Sequence, residues 1–560
     1  MGATPRASGR TDFPENPGDA ASTIGSGGAA VSDPIASQPL DPEARRVSAL
    51  SAWRHLDVSL LSLIVISVTG FNLLWTRLDS HRLYWDFARH LGDSLFYKDT
   101  FTLSHPLRYL NGYVRYPPLM YWVTDVFYAV FRSTNLWVAI LSNAVFIAIL
   151  VFSTYGIGKT LWSRRVGLLA ALVTVTTPLF VTQFHEYMLD APLSALVAAA
   201  LYFLIRSDNF ANRQQSLLFG AACGGGLLIK WTFPFFLVLP VIVCIVTALD
   251  AARRARLADR VVNIVGAGII TVAISALWYV PNYSHFRADI HSSTGIPASV
   301  QGDPPVGSLS SALWYLWSLL NNELYLIPFV FFVVGVVYLF VKDKAASTNI
   351  LLILSVVGSY IALSAIELKD FRYTMPMISA IAVIATSWLE FLRPRARQWL
   401  SGGLIAYSLI AFFAIGFGTS LLPKDITIHL KARSFTSDLE DYAPPESTRV
   451  RGIVVFAQHG FRVGAPSNQQ WHQEDVFKDI ASRRKDATFW FTEPAETIWF
   501  TSWGIRYFEF KYHMHWVASA GDAQFLIIRG PVPPGVTDGF TQIKKYSLPY
   551  AGPLRLYEQG

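Results

Sequence analysis

Long apolar stretches alternate with short charged connections from residue 57 to residue 422. A helix that crosses a bilayer needs roughly 20 mainly apolar residues. Stretches near this length lie at 57–75, 136–155, 166–183, 189–205, 216–229, 231–249, 261–280, 324–341, 349–366, 373–391 and 401–422. The stretch 216–229 is short, and we expect a kinked or partly buried helix there. The pattern predicts a polytopic α-helical membrane protein with about eleven transmembrane helices.

The two ends of the chain have different patterns. Residues 1–46 are rich in Gly, Ala, Ser, Pro and Asp, which predicts a disordered cytoplasmic tail. From Pro423 onward, strand-like alternation appears in "RGIVVFA", "ATFWFTE", "GDAQFLIIRG" and "LRLYEQ". We therefore expect a transmembrane domain at 47–422, with a first periplasmic loop at 76–135. A C-terminal extracytoplasmic domain at 423–560 should be α/β or mainly β.

Lys and Arg cluster in alternate connections, at 45–54, 159–165, 206–213, 253–260, 342–344 and 393–397. The positive-inside rule places these ends in the cytoplasm, so an odd number of spans puts the C-terminal domain outside. The composition, with 52% hydrophobic and 15% charged residues, excludes an ordinary soluble protein. The net charge of +7 lies in loops rather than on one face, so no nucleic-acid partner is expected. The two cysteines, both in apolar stretches, exclude a disulfide framework.

The first outer loop is too long for a simple connection. It contains "RLDSHRLYWDFARHLGDSLFYKD", in which Leu83, Phe87, Leu91 and Leu95 recur at helical spacing. This spacing predicts an amphipathic helix that lies on the membrane. Asp79 opens that helix, and its plainest role is to cap the helix or favour its dipole.

A very short outer connection reads "FHEYMLDAPLSAL" and places His185, Glu186 and Asp190 at the mouth of a span. Glu186 and Asp190 are four apart and would share one face of a helix. Ionisable groups at this depth are candidates for a functional site. The alternative is a solvated helix end capped by Asp190. The second histidine of the HExxH zinc motif is missing, so a divalent metal held by these three residues stays an open alternative.

Cationic residues lie on the same outer face, at Arg115, Lys230, Lys369 and Arg372. A lysine inside a membrane helix costs about 3 kcal/mol at the helix centre, so it must snorkel to headgroups or meet an anion such as a lipid phosphate. Snorkelling stays open for Lys230 and for Lys369. Acids and cations together predict a reaction at the outer leaflet. A phosphate leaving group needs cationic stabilisation, and an acceptor hydroxyl needs a carboxylate base.

These motifs occur in an order that resembles the C-type (GT-C) glycosyltransferases. Asp79 is followed by "RYPPLMYW", then "SRRVGLLAALVTVTTPLFVTQFHEYMLDAPLSALVAAALYFLIRS", "GLLIKW" and "FRYTMPMISAIAVI". The sequence is most similar to the aminoarabinose transferase and protein O-mannosyltransferase-like group, from residue 57 to about residue 391. The resemblance implies the GT-C fold, with the C-terminal domain as a variable addition.

The resemblance also implies roles for single residues. Asp79 corresponds to the family's catalytic base, but Ser80 follows it where the family often has Glu, so Asp86 is expected to share or take over that role. Asp190 corresponds to the second family acid. The donor phosphate is expected to contact Arg115, Tyr116, Lys230, Arg372 and Tyr373. Tyr116 stands where the family often has a basic residue before the double proline.

The resulting hypothesis is an inverting glycosyltransferase of the bacterial inner membrane. It would transfer a sugar from a polyprenyl-phosphate donor to an envelope lipid, glycan or protein at the periplasmic face, in contact with membrane lipid. Asp190 and Glu186 would orient the acceptor or hold a divalent ion, and the loop 281–323, with "GIPASVQGDPPVG", would cover the donor. The alternatives are a transporter or flippase for a lipid-linked glycan and a non-catalytic scaffold. A transporter should show broken repeats with ionisable residues near the midplane, a pattern this sequence lacks.

Overall fold

The computed structural model describes residues 42–80, 83, 85–100, 106–250, 256–294, 303–429, 452–458, 464–492, 502–548 and 552–560. The tail predicted at 1–46 lies outside the described residues up to residue 41, whereas residues 42–46 already belong to a helix. Most of "GIPASVQGDPPVG" also lies outside them. The contacts separate Met1–Leu56 from Asp57–Gly560, and the fold below is that of the second unit.

Helices dominate the chain up to residue 417. They are α1 (Pro42–Leu78), α2 (Trp85–Thr100), α3 (Pro106–Asn111), α4 (Leu119–Phe131), α5 (Leu136–Leu161), α6 (Arg164–Thr176), α7 (Pro178–His185), α8 (Asp190–Arg206), α9 (Arg213–Leu227), α10 (Val238–Leu249), α11 (Leu257–Tyr279), α12 (Tyr283–Thr294), α13 (Leu309–Ser318), α14 (Leu326–Val341), α15 (Asp343–Ser364), α16 (Ile378–Ser387) and α17 (Pro394–Phe417). Short 3₁₀ turns lie at Phe233–Phe236, Phe371–Met377 and Trp388–Phe391, and a π-helical turn lies at Leu319–Leu324.

Each apolar stretch that the sequence predicts as a span is helical, and the protein is a multi-pass membrane protein. In the part of the chain that the structure describes, 6 helices are long and apolar enough to cross a bilayer, and a seventh span is formed if α6 and α7, which meet at 57°, count as one. The helices α8, α9, α10 and α14 are shorter, at 12 to 17 residues. The number eleven therefore stays a prediction. An additional apolar helix, α4, lies within the predicted first outer loop.

Close packing places one helical segment in the interior of the membrane domain. The segment Phe371–Phe391 is 89% buried over its apolar window, against 17% for α11, which faces outward. Small residues allow the helices around it to approach closely. A Cβ on Gly335 of α14 would lie 2.4 Å from the Ile384 carbonyl oxygen of α16. Protein therefore surrounds most of this segment.

The C-terminal domain is α/β, as expected. Strands β1 (Asp425–His429) and β2 (Gly452–Ala457) pair antiparallel. A five-stranded sheet has the order β4-β3-β5-β7-β6. Its strands are β3 (Thr488–Phe491), β4 (His515–Trp516), β5 (Phe525–Arg529), β6 (Phe540–Tyr546) and β7 (Leu554–Gln559). Strand β3 is parallel to β4 and β5, and β7 is antiparallel to β5 and β6. Each of the four predicted strand segments contains a strand. Helices α18 (Gln473–Arg483) and α19 (Ser502–Tyr512) pack together, with Phe477 stacked on Phe508 at 5.0 Å.

The helix predicted in the first outer loop is present as α2, but its apolar stripe contacts protein and not lipid, as an amphipathic helix on the membrane would require. Leu83, Phe87, Leu91 and Leu95 are buried. Helix α2 packs between α4 and α19, so protein covers its apolar stripe. A Cβ on Gly92 of α2 would lie only 3.5 Å from the Cα of Tyr507 in α19. The C-terminal domain thus contacts the first loop directly.

Candidate functional site

Five charged side chains from four separate segments meet where α8 packs against the turn Phe371–Met377. We call Asp86, Asp190, Lys230, Asp370 and Arg372 the ionic cluster. Arg372 donates to Asp86 Oδ2 at 3.2 Å and to Asp370 Oδ2 at 2.6 Å. Lys230 Nζ donates to Asp190 Oδ1 at 2.8 Å. The sequence predicts four of these five residues, and the structure brings those four together.

Asp370 and Arg372 are arranged by the start of the 3₁₀ turn. Asp370 is its N-cap and accepts a hydrogen bond from the Arg372 backbone N–H at 2.9 Å. The Arg372 guanidinium then turns back, and its Nε lies 3.1 and 3.0 Å from the two Asp370 carboxylate oxygens. Bidentate pairs of this kind fix geometry as well as energy. Asp370 therefore orients Arg372 so that the far side of the guanidinium reaches Asp86.

Lys230 and Asp190 form an enclosed pair. Lys230 follows the glycine-rich end of α9, and Asp190 is the first residue of α8. Their side chains are 10% and 4% exposed. An ammonium with an internal carboxylate partner does not snorkel to headgroups, which settles the alternative left open for Lys230. Each of the two buried charges is tolerated only because the other is present, since a lone buried charge is strongly destabilising.

Two tyrosines lie beside the cations of the cluster. Lys230 Nζ lies 5.1 Å from the ring centroid of Tyr373 and 6.0 Å from that of Tyr116. The Tyr116 ring also stacks on Trp231 at 5.5 Å. Aromatic faces attract cations at these distances. Tyr116 therefore borders the cluster at the place where the sequence resemblance suggests a basic residue.

Asp86 is the most exposed member of the cluster. Its side chain keeps 36% of its surface, whereas that of Arg372 keeps 10%. Enclosure raises the pKa of Asp86, but the positive charges of Arg372, Arg89 and Lys230 outweigh this effect and hold the pKa well below its usual range. Asp86 is therefore an ionised and accessible carboxylate in the structure as it stands.

Asp79 lies outside the ionic cluster. Its Oδ1 accepts a hydrogen bond from the Ser467 backbone N–H at 2.9 Å, and the Ser80 N–H donates to the Ser467 carbonyl at 2.8 Å. The expectation that Asp79 opens the loop helix is wrong, because α2 begins at Trp85. Asp79 instead joins the end of α1 to the C-terminal domain.

His185, Glu186 and Asp190 do not converge. Helix α7 ends at His185 and α8 begins at Asp190, so Glu186 and Asp190 do not share a helical face as expected. The His185 ring stacks on Trp75 at 4.4 Å, and Glu186 Oε2 accepts from Gln183 Nε2 at 3.1 Å. Over the described residues, no three His, Cys, Asp or Glu side chains form a group that could hold a metal ion. These residues therefore do not fit the divalent ion that the sequence left open.

The two other predicted cations have different surroundings. Lys369 Nζ donates to the carbonyls of Ser364 and Ile366, at 2.9 and 2.6 Å. Lys369 thus caps the end of α15 and does not snorkel. Arg115 is half-buried, and its positive charge opposes the rise that burial causes in the pKa of Tyr113. The Tyr113 hydroxyl donates a hydrogen bond to Asp289 of α12. A direct role of Arg115 at the donor phosphate stays a prediction.

Sequence reasoning missed Asp370, Arg89 and His90. Arg89 and His90 follow Asp86 by three and four residues, so they lie on the same face of α2. The Arg89 guanidinium lies 5.6 Å from the ring centroid of Tyr116, and His90 Nδ1 is 2.8 Å from the hydroxyl of Tyr121. Burial lowers the pKa of His90 to about 3, so this imidazole is neutral. The spacing along the predicted helix was the signal that could have found both residues.

Known proteins resemble this chain in fold. Residues 115–279 match the family model of dolichyl-phosphate-mannose-protein mannosyltransferases. The crystal structure of ArnT from Cupriavidus metallidurans bound to undecaprenyl phosphate has 14% sequence identity and a TM-score of 0.58, covering 89% of this chain and 97% of ArnT. The apo state of that protein has 16% identity and a TM-score of 0.56, covering 91% and 98%. No curated protein matches the sequence. These likenesses confirm the fold that the sequence resemblance implies.

Proposed function

We propose that this chain, a multi-pass membrane protein with the C-type glycosyltransferase fold, transfers a sugar from a polyprenyl-phosphate donor to a hydroxyl of an envelope acceptor. The observation that carries the proposal is the ionic cluster. One accessible carboxylate, Asp86, shares an arginine with a second carboxylate, and a lysine lies close by. Such a site can bind an anion and accept a proton.

The donor phosphate binds by exchange with Asp86. Arg372 holds Asp370 through both carboxylate oxygens, but it holds Asp86 through one oxygen at 3.2 Å. An incoming phosphate therefore displaces the weaker and more exposed partner. Lys230, whose Nζ lies 5.1 Å from the ring centroid of Tyr373, completes the anion site together with that tyrosine. The structure of ArnT with undecaprenyl phosphate supports a polyprenyl-phosphate donor.

This exchange turns Asp86 into a base. Without the direct attraction of Arg372, the pKa of Asp86 rises toward its usual range. Asp86 accepts the proton of the acceptor hydroxyl as that oxygen bonds to the anomeric carbon. The bond between that carbon and the phosphate oxygen breaks, and its electron pair leaves with the polyprenyl phosphate. Arg372 and Lys230 stabilise the negative charge that develops there. Attack opposite the leaving phosphate inverts the anomeric centre.

Asp79 and Asp190 then have supporting roles. We assign the base to Asp86 rather than to Asp79, because Asp79 accepts a hydrogen bond from the C-terminal domain and lies outside the cluster. Asp190 holds Lys230 in place at 2.8 Å. Glu186 stays within the turn between α7 and α8, where it accepts from Gln183.

The reaction takes place at the periplasmic face of a bacterial inner membrane. The cluster lies at the ends of α8, α9 and the segment Phe371–Phe391 that are opposite to the Lys and Arg clusters. The positive-inside rule puts those clusters in the cytoplasm. The acceptor is an envelope lipid, glycan or protein that reaches this face.

The test compares Asp86→Asn with Asp79→Asn in purified protein supplied with polyprenyl-phosphate sugars and an envelope extract. We expect Asp86→Asn to lower kcat by about a thousandfold, since a general base contributes roughly 10²–10⁴. Asp79→Asn should keep most of the activity. Full activity of Asp86→Asn would remove the proposed base. Movement of the intact donor across the bilayer without release of polyprenyl phosphate would identify a flippase instead.

A further inference from the structure

A fully buried acid lies beside the ionic cluster without belonging to it. Glu323 is 0% exposed and lies in the π-helical turn Leu319–Leu324. Its Oε1 accepts hydrogen bonds from the hydroxyls of Ser318, at 3.2 Å, and Thr374. Thr374 follows Arg372 by two residues in the 3₁₀ turn Phe371–Met377. Glu323 therefore contacts the segment that positions the guanidinium of Arg372.

The backbone around Glu323 is strained. A π-helical turn is rare and occurs often at functional sites. Directly after it, Tyr325 has φ 60° and ψ 172°, a backbone conformation that residues other than glycine rarely adopt. Asn321 of the same turn accepts a hydrogen bond from the Val454 N–H of β2 at 2.9 Å. Contacts on both sides therefore hold the turn in a conformation that directs Glu323 inward.

The second carboxyl oxygen of Glu323 is buried and has no hydrogen-bond partner among the described residues. A carboxylate buried in this way is costly, so the neutral acid is favoured. Burial raises the pKa of Glu323 to about 8, although the bonds from Thr374 and Ser318 oppose this rise. Of the packed elements, the 3₁₀ turn carries Arg372 and Tyr373 and has Asp370 as its N-cap, α7 carries His185 and α13 carries Tyr315. Helix α14 and strand β2 have no Asp, Glu, Lys or Arg.

We propose that Glu323 is a positioning residue whose carboxyl group holds the turn Phe371–Met377 through Thr374, and that a negative charge on this carboxyl, by repelling Asp370, displaces Arg372 and Tyr373. A negative charge at Glu323 repels Asp370, the partner that orients Arg372. The cluster then loses its geometry although none of its own members has changed charge. The catalytic part of this inference rests on the proposed function, whereas its effect on folding does not.

The first experiment measures thermal unfolding in detergent against pH for the wild type, Glu323→Gln and Thr386→Val. The pKa of Glu323 in the folded state lies above its ordinary value of 4.5, so the native state binds more protons in this window and stability falls as the pH rises from about 5 to about 8. Glu323→Gln cannot ionise and should lose this part of the pH dependence. Thr386→Val, a buried threonine of the same segment that bonds within its own helix, should keep it. Equal pH dependence in the wild type and Glu323→Gln overturns the inference.

The second experiment measures sugar transfer at about pH 6 and about pH 9. The wild type should lose about tenfold in kcat/KM at the higher pH relative to Glu323→Gln, because a displaced Arg372 no longer meets the donor phosphate. Thr374→Val should raise KM for the donor at both values. A pH profile of Glu323→Gln that follows the wild type contradicts the inference. A changed unfolding profile with no transfer in any variant would instead remove the proposed function and leave the role of Glu323 in the turn standing.

Discussion

The guanidinium of Arg372 contacts two carboxylates, and it contacts Asp370 more closely than Asp86. Asp370 receives contacts of 2.6 to 3.1 Å, is joined to Arg372 through the N-cap bond and is only 17% exposed. Asp86 receives two contacts at 3.2 Å to one oxygen and is more than twice as exposed. The permanent partner sets the direction of the guanidinium, and the second partner can be replaced.

This division depends on the planar fork of arginine. In Arg372→Lys, a single ammonium cannot hold Asp370 through both oxygens and still reach a phosphate. We expect KM for the polyprenyl-phosphate donor to rise about tenfold or more, with a smaller change in kcat. Initial rates over a range of donor concentrations measure the split. Arg397→Lys is the matched control, because Arg397 also pairs with a carboxylate, that of Glu390, but lies in the first turn of α17 and outside the ionic cluster. An unchanged donor KM in Arg372→Lys would argue against phosphate binding at this residue.

The pair Lys230 and Asp190 should be coupled in stability. Removal of one buried partner costs about 3 to 5 kcal/mol, whereas removal of both is much less destabilising. We therefore expect Lys230→Met and Asp190→Asn to unfold at clearly lower temperatures, and the double variant to recover part of the loss. A double-mutant cycle from thermal unfolding in detergent gives the coupling energy. Additive losses in the double variant would show that the two side chains do not depend on each other.

Helix α2, which carries Asp86, is positioned largely by the C-terminal domain. Gln473 of α18 accepts from the Leu83 N–H at 2.7 Å and donates to the Leu83 carbonyl at 3.1 Å. The guanidinium of Arg89 lies 4.4 Å from the ring centroid of Trp503. These contacts fix the start and one face of the helix. The domain therefore acts on the ionic cluster without contributing a charge to it.

Gln473→Ala tests this arrangement. Loss of both backbone contacts should let the start of α2 shift, and a displacement of about 1 Å at a reacting group can cost up to 10²-fold. We expect kcat to fall about tenfold or more while the C-terminal sheet stays folded. Circular dichroism of the purified protein checks the fold, and Gln542→Ala, an exposed strand residue, is the control. Wild-type kcat in Gln473→Ala would mean that the membrane domain alone positions α2.

Local sequence patterns predict the secondary structure of a segment more readily than the partners against which it packs. The period of Leu83, Phe87, Leu91 and Leu95 requires a helix with one covered face, but lipid and protein both satisfy that requirement. Asp79 and Leu83 form hydrogen bonds with residues 388 and 390 positions away, which no local pattern encodes. The cations were easier to place, because Lys230 and Arg372 both stand at the outer ends of apolar stretches.

The interval between α7 and α8 shows the opposite limit. Glu186 and Asp190 are four apart, but they lie at a short connection between two predicted spans, and residues 186–189 belong to neither α7 nor α8. Helical spacing therefore predicts a shared face that does not exist. Asp370 was missed for a related reason, because a carboxylate two residues before an arginine suggests a surface pair until the burial of Arg372 is known.

The orientation of the whole chain can be tested with single cysteines. Cys223 and Cys244 are buried, so they should contribute little background labelling. We expect Gln542→Cys, in the C-terminal domain, to react with a membrane-impermeant maleimide on cells with a permeable outer membrane. Arg213→Cys, in a connection predicted to be cytoplasmic, should react only after the inner membrane is disrupted. Reversed labelling would place the ionic cluster on the cytoplasmic side and contradict the proposed periplasmic reaction.

The contact between Leu83 and Gln473 also affects how the protein is made. The two residues are 390 positions apart, and synthesis at about 5–20 residues per second separates their appearance by roughly 20–80 s. During that interval Asp86 has been synthesised, but α2 lacks the contacts with α18 and α19 that hold it. Helix α2 can take its final position only after the last part of the chain has been synthesised. We therefore expect a prematurely terminated chain to carry every member of the ionic cluster with Asp86 out of place.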